Sequence, residues 1–194
     1  MKALIIYSHP VEGSFCSAIR DAAAEGFRQA GHNIDVIDLT AENFNPVMSA
    51  DEWDLYFSSN GQVPQGLERH VELVKEADFL CFVYPTWWSG LPAQLKGWIE
   101  RIMIFGVGFT LNKNNKVRPA LRNVRKIYVL STFGSPRWYV RFINDNGRRV
   151  LSRALRLSTG RASLHSMGLY AMDTQTEENR REFLAKVTKK LAQS

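Results

Sequence analysis

Two continuous apolar runs constrain the fold of this 194-residue chain more than any other feature. They are Ala3-Leu4-Ile5-Ile6-Tyr7 and Phe79-Leu80-Cys81-Phe82-Val83-Tyr84. A strand with one wet face alternates polar and apolar residues; a strand without alternation is covered on both faces, as in a parallel sheet between helical layers. Between the runs the period changes. Phe15, Ala18, Ile19, Ala22, Ala23 and Phe27 recur at spacings of three and four and stop at Gly31, as in an amphipathic helix with a glycine end. Ile34, Val36 and Ile37 predict a second strand ending at Asp38-Leu39. Residues 40–64 read as irregular, with a short helix near 50–56, and 67–77 as a helix. After the third strand, helix is expected over 92–104, with Pro92 near its first turn, where its missing N–H costs nothing. A fourth strand is expected at 127–130, mostly helix over 138–157, a fifth strand at 164–170 and a terminal helix over 176–192. Alternating strands and helices predict an α/β architecture, and five parallel strands suit the doubly wound order 2-1-3-4-5. One domain over residues 1–194 is expected from the length.

In that order, ligands bind beyond the carboxyl ends of the strands, where the strand order reverses. Three loops follow the relevant strands. The first runs from Ser8 to Ser17 and leads into a helix, whose free N–H groups and dipole attract anions. Gly13 permits close approach, Ser14 and Ser17 offer hydroxyls, and His9 adds a donor. Ser14 would equally serve as a plain N-cap. The second loop, Pro85-Thr86-Trp87-Trp88-Ser89-Gly90-Leu91-Pro92, carries two indoles that could wall a flat aromatic ligand or simply pack at the sheet top or in a subunit contact. The third, Ser131-Thr132-Phe133-Gly134-Ser135-Pro136, has the small polar residues that bond a ring edge, and equally those of an ordinary turn. Taken together, a phosphate cradle, an aromatic wall and a polar turn on one sheet edge suit a flavin mononucleotide moiety.

The net charge of +6 is local. Residues 137–161 hold seven arginines and one acid, Asp145, and the rest of the chain is neutral. Arg149, Arg153 and Arg156 would share one helix face. No nucleic-acid recognition motif accompanies the charge, so no nucleic-acid partner is expected; cofactor phosphates or a protein partner remain. Cys16 and Cys81 give no disulfide framework, and no Cys/His cluster has zinc spacing, so no metal is expected. The uncharged stretch from Phe79 to Leu95 falls short of the ~20 apolar residues of a membrane span, and Met1-Lys2 opens no signal-peptide core. A cytoplasmic location is expected.

Several of these residues resemble the NAD(P)H:quinone oxidoreductase family of flavoproteins. The likeness begins at Leu4 to Phe15, continues through Asp38-Leu39, Ala41 and Phe44-Asn45-Pro46, and is most specific from Ala77-Asp78 to Glu100-Arg101. It implies a flavodoxin-like three-layer sandwich and a tightly bound FAD, with FMN as the alternative. It also implies a homodimer with active sites at the interface, and two-electron ping-pong transfer from NAD(P)H through flavin to a quinone-like acceptor. By position it implies that Ser14, Phe15 and Cys16, with His9 and Ser17 beside them, meet the phosphate end. Pro85, Thr86, Trp87 and Trp88, with Ser89, would line the isoalloxazine. Thr132 and Gly134 would bond its polar edge, and Tyr139 would approach the ring as the catalytic candidate. Arg180 matches an arginine near the adenosine of FAD. Three positions depart from the family pattern. Cys16 replaces a small polar residue, Phe133 stands where glycine is common and should crowd the pocket, and Asp145 takes the place of a histidine six residues after the tyrosine. A flavodoxin-type electron carrier and a regulatory flavoprotein subunit of a membrane transporter are the alternative functions.

Overall fold

The computed structural model describes residues 1–57 and 61–194. The chain runs β1 (Lys2–Tyr7), α1 (Phe15–Gln29), β2 (Asn33–Asp38), α2 (Ala50–Phe57), α3 (Glu68–Glu76), β3 (Phe79–Pro85) and α4 (Ala93–Ile102). A short antiparallel hairpin follows, β4 (Phe109–Leu111) and β5 (Val117–Pro119), then β6 (Lys126–Thr132) and α5 (Arg137–Phe142). Next, α6 (Asn146–Arg149) passes through a π-helical turn (Val150–Leu155) into α7 (Arg156–Thr159). β7 (Ser163–Leu169), a 3-10 turn (Met172–Thr174) and α8 (Glu177–Leu191) complete it. Of the stretch read as irregular, residues 58–60 lie outside the described residues.

The main sheet has order β2-β1-β3-β6-β7, with every pairing parallel. With the hairpin set aside this is the expected 2-1-3-4-5 order. The unbroken apolar runs now have their explanation, because successive side chains enter different cores. Ala3, Ile5, Tyr7, Cys81, Val83 and Leu130 pack under α1 and α8, with Phe27 and Val187. Leu4, Ile6, Leu80, Phe82, Ile127 and Val129 pack on the other side, with Val74 of α3, Trp98 of α4 and Leu151 of the π turn.

Two close approaches fix the layers. A Cβ on Gly26 would come within 2.6 Å of the Thr188 carbonyl oxygen, so α1 and α8 approach backbone to backbone. On α4, Arg101 forms a bidentate pair with Glu52 through Nε, at 3.1 and 3.0 Å, and lies over the Phe44 ring. Ser49 and Glu52 cap α2 reciprocally, Ser49 Oγ accepting from the Glu52 N–H and the Glu52 carboxylate from the Ser49 N–H. His70 is buried and fully partnered. Its Nδ1 accepts from the Trp98 indole at 3.2 Å, and its Nε2 faces Glu42 at 2.7 Å.

Two expectations need correction after the third loop. The helix read over 138–157 breaks at residues 143–145, where Asn144 and Asp145 take positive φ (71° and 44°). The π turn then widens the helix, so the regular α spacing that would align Arg149, Arg153 and Arg156 is lost. Arg156 Nε instead donates to the Ala162 carbonyl at 2.9 Å.

Candidate functional site

The three loops do meet at the carboxyl ends of β1, β3 and β6. Hydrogen bonds lock them there. The Ser8 N–H donates to the Val83 carbonyl and the Thr86 N–H to the Thr132 carbonyl, at 3.1 and 2.8 Å. The third loop is tied to the segment after β7 by N–H bonds from Met172 to the Phe133 carbonyl and from Ala171 to that of Ser135.

In the first loop Ser14 is the N-cap of α1, accepting from the Ser17 N–H at 3.3 Å, while Ser17 Oγ donates to the Ser14 carbonyl at 2.6 Å. Capping leaves the leading N–H groups of the helix, on Phe15 and Cys16, without intrahelical acceptors. They and the helix dipole form the anion-attracting end; Gly13, at φ 76°, turns the chain into it. His9 Nδ1 lies 3.0 Å from the Val11 N–H and 3.2 Å from the Val11 carbonyl, which folds the ring back on its own loop. Cys16 turns its side chain into the core, 3.4 Å from Thr132 Oγ1, and burial pushes its thiol up to about 11. It is a protonated, buried small residue, and only its backbone faces the loop.

The second loop reverses in a tight turn, the Gly90 N–H donating to the Trp87 carbonyl at 3.0 Å. Trp88 and Ser89 both sit in the left-handed region, at φ 47° and 58°, as a type I′ turn demands. That conformation costs a non-glycine residue roughly 1–2 kcal/mol. The backbone of Gly147 braces the turn: a Cβ there would come within 3.1 Å of Gly90. The two indoles diverge. Trp87 faces His9, with ring centroids 6.1 Å apart, whereas Trp88 stands wholly exposed on the other side of the turn. Of the two indoles, only Trp88 lines the cavity beside this loop.

A cavity of about 250 Å³ lies between the second and third loops, lined by Thr86, Trp88, Ser89, Phe133, Gly134 and Tyr139, among others. Thr86 Oγ1 is buried there with no hydrogen-bond partner among the described residues. An orphaned buried hydroxyl at a cavity wall is what a bound polar ring edge would satisfy. Phe133 does not fill the space; its ring stacks back on Tyr170. Tyr139 is half-exposed at the mouth, edge-on to Trp138. Arg180 lines neither this cavity nor the larger one beside it; its Nη2 donates to the Met172 carbonyl at 3.2 Å, and its buried Nε has no partner among the described residues. Pro85 and Thr132 are buried, paired across β3 and β6.

In the sequence Asp145 is the one acid of the arginine-rich segment and a departure from the family pattern. Here it is buried, caps α6 by accepting from the Arg148 N–H, and binds Arg148 Nε at 2.9 Å. It lines the cavity as a committed carboxylate, so it cannot serve as a free base for Tyr139. Ser135, Ile143 and Tyr170 also border the cavities. The run Asn144-Asp145-Asn146-Gly147 signalled their position, since Asn and Asp tolerate left-handed backbone. Among the described residues no group of three His, Cys, Asp or Glu side chains is placed to hold a metal ion.

Comparison with known proteins gives the same neighbourhood. A family model for the flavodoxin-like fold matches residues 1–192. A protein of Haemophilus influenzae named as an uncharacterised NAD(P)H oxidoreductase is 34% identical over 118 residues, 60% of this chain and 57% of that one. The guinea-pig (Cavia porcellus) NAD(P)H dehydrogenase (quinone) 1 is 31% identical over 153 residues, 71% of this chain and 55% of that one. The matches thus span only about half to three fifths of those relatives' lengths. Among solved structures, the NAD(P)H:quinone oxidoreductase of Methanothermobacter marburgensis superposes with a TM-score of 0.83 at 26% identity, covering 99% of this chain and 94% of that one.

Proposed function

Because this chain belongs to the family of the flavodoxin-like fold, as the match over residues 1–192 shows, we propose that it is a flavin-dependent NAD(P)H oxidoreductase acting on quinone-like acceptors. The observation that carries the reading is the cavity between the second and third loops, with the orphaned Thr86 hydroxyl on its wall. The residues suit a flavin there. The first-turn N–H groups of α1 and the Ser14 and Ser17 hydroxyls would hold the phosphate. Thr86, Trp88 and Gly134 would hold the ring. Arg180, with its unpartnered buried Nε, supports FAD over FMN. A flavin so bound supplies two-electron chemistry, accepting hydride from a reduced nicotinamide and passing it to a quinone.

The chain's own contribution is position and exclusion. Trp88 and Tyr139 are exposed aromatic residues that line the cavity and would limit access to the bound ring. A cavity of this size beside the bound ring would take nicotinamide and acceptor in turn, which supports ping-pong order. Trp88, Trp138 and Phe142 are exposed aromatic side chains, and a second copy of the chain covering them supports a homodimer with shared sites. The free, buried Cys16 and Cys81 support a reducing, cytoplasmic setting, and no helix of the described residues is long and apolar enough to cross a membrane.

Steady-state oxidation of NADH and NADPH by the purified protein with menadione tests the reading. Parallel double-reciprocal lines are expected; absence of turnover with both nicotinamides would overturn it. Heat release of the flavin and chromatography distinguish FAD from FMN.

A further inference from the structure

A second and larger cavity, about 750 Å³, opens on the far side of α5. Val140 and Asp145 line both cavities, so α5 and the turn after it are the partition. Its floor is β7 at Ser166, Met167 and Gly168, and Phe183 of α8 closes one wall. Five cations surround it: Arg137, Arg141, Arg148, Arg149 and Lys186. Arg148 is taken by Asp145, and Lys186 by Glu182. Arg137, Arg141 and Arg149 form no ion pair among the described residues. Three unpaired guanidinium groups around one concave space repel one another until an anion enters, and each presents a fork that matches phosphate oxygens.

We propose that this cleft binds the 2′-phosphate of NADPH and makes the protein prefer NADPH to NADH. The inference rests on the nicotinamide reading above. The cleft and the flavin cavity share Val140 and Asp145 as walls, so a dinucleotide whose nicotinamide end reaches the flavin would have its adenosine end within range of the arginines. A phosphomonoester carries nearly two negative charges at neutral pH, more than either phosphate of the pyrophosphate bridge, and is the part of NADPH that NADH lacks.

The test has two arms. The first needs no turnover: calorimetric titration of the flavin-loaded protein with adenosine 2′,5′-bisphosphate, adenosine 3′,5′-bisphosphate, 5′-AMP and inorganic phosphate. The 2′,5′-bisphosphate is expected to bind at least about tenfold tighter than the others, with Arg141→Gln and Arg149→Gln each weakening it by about tenfold. Arg181→Gln, an exposed α8 side chain that does not line the cleft, controls for general charge and is expected to leave that affinity unchanged. The second arm is the ratio of kcat/KM for NADPH to that for NADH, expected to fall toward one in the Arg141→Gln/Arg149→Gln double variant. Equal binding of all four compounds, or a ratio the double variant does not move, overturns the proposal while leaving the oxidoreductase reading intact. Selective, arginine-dependent binding of the 2′,5′-bisphosphate without oxidation of either nicotinamide keeps the site and removes that reading.

Discussion

The ring of Phe133 lies flat against that of Tyr170, with centroids 4.6 Å apart and planes within 10°. The stack takes a bulky residue out of the cavity it was expected to crowd and makes it a wall. It depends on Gly168, where a Cβ would come within 2.7 Å of the Phe133 ring. Gly168→Ala should drive that ring toward the space beside Thr86. A loss of about 1–3 kcal/mol in stability and a lower flavin content per chain are expected. Urea denaturation and the visible absorbance ratio of the purified variant check this; full flavin content would show that Phe133 does not border the bound ring.

Thr86→Val removes a buried hydroxyl that has no partner within the described protein. Its loss should leave the flavin-free protein as stable or slightly more stable, because a desolvated polar group has gone. Affinity for added flavin should drop by about tenfold. Melting of the flavin-free form and fluorescence titration with flavin together measure the two effects. A loss of stability without a loss of affinity would assign the hydroxyl to the fold instead.

The pair of Arg101 and Glu52 makes stability pH-dependent. Burial alone would raise the Glu52 carboxyl. The Arg101 hydrogen bonds, the Ser49 N–H and the Arg101 charge outweigh it and hold the group below the ordinary carboxylate range. A lowered native pKa stabilises the protein fully above the unfolded value, about 4.3, and the contribution disappears as pH falls through the native value. Urea midpoints between pH 7 and pH 3 should therefore fall less steeply in Glu52→Gln than in the parent. Arg101→Leu, which strands a buried carboxylate, should cost about 3 kcal/mol at neutral pH.

Gly26→Ala tests the contact of α1 with α8. Alanine is the better helix former by about 1 kcal/mol, so an isolated helix would gain. Here the new methyl would meet the Thr188 carbonyl oxygen at 2.6 Å and Leu191 Cβ at 2.8 Å, neither of which is a flexible side-chain end. Net destabilisation of about 1–3 kcal/mol is expected from equilibrium unfolding.

Much of the architecture was legible because the chain's apolar runs are unambiguous: nothing but a sheet covered on both faces suits Phe79 to Tyr84. The loops were legible for the same reason, as the strands dictate where they end. What escaped detection depends on tertiary partners. Whether two adjacent tryptophans share a wall is decided by φ at Trp88 and Ser89, and that turn is braced by Gly147, almost sixty residues away in the chain. The inward turn of Cys16 reflects Thr132 across the sheet. The π turn has no period that an α-helical pattern would reveal, and the β4–β5 hairpin has strands of three residues each, too short to alternate visibly.

β7 ends the sheet, and among the described residues no strand lies beside its outer backbone edge. An uncovered edge is a template on which another chain can polymerise. In this molecule the edge runs along the floor of the arginine cleft, so two copies approaching edge to edge would bring Arg137, Arg141 and Arg149 against their own counterparts. Repulsion among these charges opposes such edge-to-edge association. Stripping several of them together would expose a bare, adhesive strand, and precipitation on concentration would follow even where each single substitution is harmless.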